Sequence, residues 1–253
     1  MINAGAIATT AQIKGDKFGR ILELIRKITG NADIDYSREV YFSEKATGEK
    51  NRAIAHLMKA RGIIEEDPEE ILDHYFKQCS IEVTACDLAQ IAVFIANGCS
   101  GLESYGKIDR KTLSRNLLAI MTIGGMYNVS GQYAAQVGVP SESGVGGGIM
   151  AAVPGRMGIG VFSPPLDENG NSIAGCGIMK SLSDRLDLSI FESKKVYMKL
   201  RVVGGLITSP DNTSGLDKVE CWEKIKFLVN EVAQIKSPGL DGTAPCQVDS
   251  GNN

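Results

Sequence analysis

The chain has 253 residues, 43% of them hydrophobic and 23% charged, with a net charge of -3. That length supports one large domain or two small ones with a real core, and the slight acidity leaves no basic footprint for nucleic acid. No apolar run reaches the roughly 18–20 residues that cross a bilayer and no charged-then-apolar leader precedes the first amphipathic stretch, so the expectation is a cytoplasmic protein without nucleic-acid or membrane partners.

The opening is unusual. Met1 and Ile2 run straight into Asn3-Ala4-Gly5-Ala6-Ile7-Ala8, small and apolar residues that read as the interior of a folded domain, not as a frayed terminus. The chain is therefore expected to begin mid-domain. "KFGRILELIRKITG" sets Phe18, Ile21, Leu22, Ile25 and Ile28 on one helical face, with Gly30-Asn31 as the stop. "DPEEILDHYFKQCS" carries Asp67 as cap, Pro68 in the first turn and Glu70 three residues after the cap. "VTACDLAQIAVFIANG" runs from a Thr84 cap to a Gly98 stop, and "DRKTLSRNLLAIMTIGG" repeats the design from Asp109 to Gly124.

Beyond about Gly125 the texture turns to Gly, Val, Ala and Ile. Gly148–Val153 and Met157–Phe162, joined by Pro154-Gly155-Arg156, read as an antiparallel hairpin. "LDENGNS" reads as a turn and "SIAGCGIMKSLSDRLDLSIF" as a helix. Helices, then strands, then a helix make an α+β class, without alternating βα units. After Glu192, "KKVYMKLRVV" alternates like a strand, "CWEKIKFLVNEVAQI" is an amphipathic helix, and "SPGLDGTAPCQVDSGNN" has a disordered composition. The division expected is a domain over 1–191, mainly helical to 125 and strands plus a helix over 126–191, followed by a divergent tail over 192–253.

Candidate chemistry is sparse. Cys79, Cys86, Cys99, Cys176, Cys221 and Cys246 are scattered without a CxxC pair and read as thiols of a reducing compartment. His56 and His74 are the only histidines, so a His-based triad or metal site is poorly supplied, and no metal is expected. Gly144, Gly146, Gly147 and Gly148 lack phosphate-loop spacing and read as a strand end approached by another backbone or a ligand. The S-x-x-K at Ser104–Lys107 falls on a loop, where nucleophile and base are not held in register. Glu44 and Asn51 share a face if their helix is continuous, while Gly48 between them allows a bend. Tyr75 reads first as core. Tyr127 lies at the junction of helical and strand regions, where pockets are common.

Six stretches, "MINAGAIA", "SEKATGEKNRAIA", "ILDHYFKQCSIEVT", "GGMYNVSGQYA", "VGVPSESGVGGGI" and "FSPPLDENGNS", together resemble the motifs of the serine-dependent glutaminases in order and spacing. The resemblance covers roughly residues 1–191 and does not reach 192–253. It implies the penicillin-binding-protein/β-lactamase fold, hydrolysis of L-glutamine to L-glutamate and ammonia through a serine acyl-enzyme, no cofactor, and a homo-oligomer, tetramer or dimer. It carries the substrate-contacting positions onto Asn3, Glu44, Asn51, Tyr75, Tyr127 and the backbone of Val145, with Tyr127 also moving protons. A carboxylate such as Glu44 suits the α-ammonium of glutamine, and asparagines offer donors and an acceptor to its other polar groups.

Two departures stand out. The family's S-x-x-K pair, on a helix ahead of the N-A-G-A motif, has no counterpart in this chain, nor do the strands and helix that go with it. Glu142 occupies the place where the family usually has lysine, and an anion there disfavours a carboxylate ligand and raises neighbouring Tyr and Lys pKa values. An inactive glutaminase-like binding or assembly partner is the alternative reading, and a β-lactamase-like or peptidase relative a third.

Overall fold

The small residues at the start of the chain form helix α1 (Ile2–Gln12). The sequence reading did not isolate this helix, because alanine favours helix on every face and leaves no periodic stripe. Ile7 is fully buried, and Ala4, Ala6, Ala8 and Ala11 pack beside it in the core of the helical half. This is a computed structural model, and it describes residues 2–101 and 109–192 together with the backbone of 201–203 and 206–208.

Chain divides into units Met1–Glu192 and Ser193–Asn253. In the first, α2 (Lys17–Thr29) is capped by Asp16 and stopped by Gly30 at φ 71°. Ser37 caps α3 (Arg38–Ala46), and α4 (Glu49–Ala60) follows after a bend at Gly48. Asp67 caps α5 (Pro68–Cys79) by accepting from the Glu69 amide, with Pro68 in the first turn. The reciprocal capping box forms instead on α6 (Ala85–Ala96), where Thr84 and Asp87 each accept from the other's backbone amide. Such caps are worth about 1 kcal/mol. Asp109 caps α7 (Arg110–Gly124). Ile71, Leu72, Tyr75 and Phe76 of α5 bury against Ile7, Tyr41, Ala55 and Met58 to make the helical core.

Past α7 come a 3-10 turn at Tyr127–Val129 and a short helix, α8 (Ser130–Gln136). The glycine-rich texture had concealed α8, whose place is held by a hydrogen bond between the Tyr133 and Ser141 hydroxyls at 3.1 Å. The expected hairpin forms within its expected bounds: β2 (Gly148–Val153) pairs antiparallel with β3 (Met157–Phe162). A three-residue strand too short for any pattern, β1 (Ser141–Ser143), joins the other side of β2, giving the order β1-β2-β3. Ser172 caps α9 (Ile173–Leu186), which ends at Asp187 in a left-handed conformation, short of the predicted end.

The sheet meets the helices through α6. Cβ atoms built on Gly158 and Gly160 would lie 2.2 Å from the Val93 nitrogen and 2.0 Å from the Ala85 oxygen. These are backbone atoms of α6 or its first turn, so no rotamer change relieves the clash, and helix and strand touch main chain to main chain. Ala92 and Ala152 are both fully buried in the layer this creates.

In the second unit, β4 (Arg201–Val203) pairs antiparallel with β5 (Leu206–Thr208), and β4 falls within the stretch predicted as a strand. The predicted helix over 221–235, the final 237–253 segment and the Ser104–Lys107 pattern lie outside the described residues. No described helix is long and apolar enough to cross a membrane.

Gly160→Ala is expected to cost at least about 2 kcal/mol by overpacking, lowering the melting temperature by roughly 5 °C or more in a unit of this size. Gly131→Ala, whose added methyl meets nothing within 4 Å, should leave it within a few degrees. Thermal unfolding followed by circular dichroism compares the two.

Candidate functional site

Glu44 and Asn51 do not share a continuous helix. The bend at Gly48 separates α3 from α4, and a Cβ there would sit 2.5 Å from Phe76 Cζ, so α5 presses directly on the bend. Redirected in this way, Asn51 meets α1: the Asn3 Nδ2 donates to Asn51 Oδ1 at 3.1 Å, across 48 positions of sequence. Glu44 ends up beside Tyr75 and Cys79 of α5. Burial pushes the Tyr75 phenol well above its ordinary value, with Cys79 and the Glu44 charge adding to the effect. The Cys79 thiol is raised as well, by burial first.

What holds Glu44 there is an ion-pair network that the sequence reading missed. Asp73 on α5 receives Lys45 Nζ at 2.6 Å and Lys77 Nζ at 2.7 Å, together with the Tyr41 hydroxyl. Burial opposes ionisation of Asp73, but hydrogen bonds from Lys45, Lys77 and Tyr41 together outweigh it and hold the carboxyl well below the usual range. Lys45 is the residue after Glu44, and Asp73 lies two before Tyr75, so clamping one pair aligns the other. The i,i+4 spacing of Asp73 and Lys77 was the one local signal available; the Lys45 partner is 28 residues away and left none.

Tyr127 and Val145 form a second group. Tyr127 has a left-handed backbone at φ 52°, rare for a bulky residue. Val145 stands in the turn after β1, closed by Gly147 N–H to the Gly144 carbonyl at 2.9 Å and Ser163 N–H to the Gly147 carbonyl at 2.9 Å. A Cβ on Gly147 would lie 2.7 Å from the Ser163 oxygen, so the glycine cluster is a close backbone approach, as one of its two readings required. The Val145 main chain lies near the Tyr127 phenol and favours its ionised form. Burial raises the Tyr127 phenol above its ordinary value, the Glu142 charge raises it further, and the Val145 amide opposes both. Glu142 itself is half-buried on β1, and burial pushes its carboxyl up to about 7.

The contacts described thus join Asn3 to Asn51, Glu44 to Tyr75, and Tyr127 to Val145 and Glu142. The first two pairs rest on the helical core around Phe76, and the last set on the sheet core around Met126 and Met179. A cavity of about 540 Å³, lined by Ala134, Gln136, Val137, Ser183, Asp184 and Phe191 among others, contains none of the six. Its charged lining is acidic and its Ser183 hydroxyl is spent on the Val137 carbonyl at 2.5 Å, so it suits neither nucleophilic chemistry nor an amino acid's carboxylate.

The glutaminase family model matches residues 1–191. The chain belongs to the glutaminase family. It is 53% identical over 197 residues to Glutaminase 2 of Clostridium perfringens and 56% identical over 196 residues to the glutaminase of Clostridium tetani. In both cases the match covers 76% of this chain and 64% of the relative, so the chain spans less than two thirds of their length. Among solved structures it resembles a Bacillus subtilis glutaminase in covalent complex with 5-oxo-L-norleucine, with a TM-score of 0.67 and 36% identity over 75% of this chain and 68% of that one. A Bacillus glutaminase in 4.3 M NaCl gives a TM-score of 0.68 and 37% identity, covering 75% and 66% respectively. The helices, antiparallel sheet and final helix of this glutaminase-family chain belong to the β-lactamase-like fold.

Glu142 makes the stability of this family member depend on pH in a definite sense. Its carboxyl is raised from 4.5 to about 7 in the folded state, so folding favours the protonated form. Its contribution is full below the unfolded value and is lost as pH rises through about 7. Glu142→Gln should therefore be more stable than the parent at pH 8, by roughly 1–3 kcal/mol, and the difference should close by pH 4. Urea unfolding at the two pH values measures it.

Proposed function

We propose that this chain is the glutamine-binding part of a serine-dependent glutaminase, which hydrolyses L-glutamine to L-glutamate and ammonia through an acyl-enzyme and needs no cofactor. The observation that carries the reading is the Asn3–Asn51 hydrogen bond. Two residues that the family resemblance assigns to one ligand, far apart in sequence, meet side chain to side chain. Glu44 beside Tyr75 supports the same reading from a second pair of helices.

In this reading each residue meets one part of the substrate. Glu44 takes the α-ammonium by a charge-assisted hydrogen bond. Asn3 and Asn51 bind the polar groups of the amino-acid end, and Tyr75 closes the pocket beside them. The Val145 amide is a donor for the oxyanion that develops when the side-chain amide is attacked. It also lies beside the Tyr127 phenol and favours its ionised form. Tyr127, with a pKa above that of ordinary tyrosine, is suited to deliver a proton and poorly suited to ionise alone. The nucleophilic serine and its lysine have no counterpart in the 253 residues. The Bacillus subtilis relative reacts with 6-diazo-5-oxo-L-norleucine to form a covalent complex, and that reagent shares glutamine's five-carbon amino-acid skeleton with a carbonyl at C5, which supports covalent catalysis for this family member too.

We also assign residues 1–191 to the catalytic domain and 192–253 to a divergent tail, place the protein in the cytoplasm on its scattered cysteines, and assign it a homodimer or homotetramer, as the resemblance implies.

Calorimetric titration with L-glutamine tests the proposal. The chain should bind glutamine, and Glu44→Gln, which removes a charge-assisted contact, should weaken binding by about tenfold or more. The chain alone should release no ammonia. An Asn51→Ala variant that binds glutamine as well as the parent would sink the site assignment.

A further inference from the structure

The stretch "FSPPLDENGNS" carries part of the family resemblance, yet none of the six assigned residues comes from it. Its fold gives it a task. Asp167 closes the loop onto itself: its Oδ1 accepts the amides of Asn169 and Asn171 at 2.9 Å each, its own amide donates to the Asn171 carbonyl at 2.8 Å, and its carbonyl accepts the Gly170 amide at 3.1 Å. The rigid loop then faces Tyr127. Gly170, at φ 90°, turns its bare Cα to the ring. A Cβ there would lie 3.6 Å from Tyr127 Cε2 and 3.5 Å from Val145 Cγ1.

Asn171 is fully buried, and its Nδ2 donates to the carbonyl of Met126, the residue before Tyr127, at 3.4 Å. Its Oδ1 has no partner among the described residues. Leaving a buried acceptor unmet destabilises the fold. The other side of Tyr127 is tied by Ser130, whose Oγ accepts the Met126 amide at 3.0 Å and whose hydroxyl donates to the Tyr127 carbonyl at 2.8 Å. A bulky residue in the left-handed region is strained and persists only when its surroundings over-determine it.

We propose that Gly170 and Asn171 are positioning residues for the reaction, clamping Tyr127 against the Val145 turn so that its hydroxyl faces the oxyanion donor. The role in the reaction rests on the glutaminase reading above; the clamp itself can be tested without ligand.

The test is the ultraviolet titration of Tyr127, isolated from the chain's seven tyrosines by subtracting the same background carrying Tyr127→Phe. In the full chain, Asn171→Ala should release the ring toward water and away from Glu142. Burial and the Glu142 charge, which raise this phenol, outweigh the opposing effect of the Val145 amide, so the ionisation midpoint should move down, toward the ordinary value near 10. Asn171→Leu, which removes the donor to the Met126 carbonyl while keeping a similar volume, decides the matter on the same readout if Asn171→Ala does not fold. A midpoint unchanged in a folded variant, even one of lower melting temperature, overturns the proposal. Glutamine affinity, measured in parallel, separates the two ideas: a shifted midpoint with no glutamine binding in the parent keeps the clamp and rejects the glutaminase role.

Discussion

The whole arrangement depends on one close approach, the backbone of α6 lying on Gly158 and Gly160 of β3. Two side chains of hydrogen let a helix and a strand touch through their main chains, at separations where any Cβ would collide with backbone atoms. From that seat α6 reaches in every direction. Its Asp87 accepts from Asn31 at 3.1 Å, after the end of α2, and its Ile95 carbonyl accepts the Ser114 hydroxyl of α7 at 2.9 Å. One helix thus ties the sheet to α2 and α7, on either side of the layer around Ala92 and Ala152.

Electrostatics divides the two halves differently. Around Glu44, a carboxylate is surrounded by paired charges: Asp73 balances Lys45 and Lys77, and both cations also stand over the Tyr41 ring at 5.4 and 5.7 Å. Such a network is directional, because each group has a partner that fixes it. Near Tyr127, Glu142 is half-buried, forms no salt bridge among the described residues, and has its carboxyl pushed up to about 7 by burial. A lysine at that position would stabilise anions near the tyrosine; the glutamate makes the same corner acidic and sensitive to pH near neutrality.

Much of the architecture was legible before the structure. Asp67, Thr84 and Asp109 cap helices because their side chains satisfy amides that the helix leaves open, and that rule needs only local sequence. The β2–β3 hairpin followed from alternation and from Pro154-Gly155. What local pattern could not reveal were elements whose side chains carry no contrast, such as α1, or too few residues, such as β1 and α8. The bend at Gly48 was one of two open readings, and it was decided by Phe76 from another helix.

The sequence by itself determined the family, through six motifs in order, and the positions that matter within it: residue types at a given spacing are a property of the chain. Only the tertiary structure decided which of those positions meet. Asn3 finds Asn51 because α1 and the bent α4 pack on a common core, Glu44 finds Tyr75 because Asp73 draws Lys45 across 28 residues, and the Met126 carbonyl beside Tyr127 accepts from Asn171 across 45. Hydrogen bonds and ion pairs act over a few ångströms, and sequence separation carries no information about such distances until the core has closed.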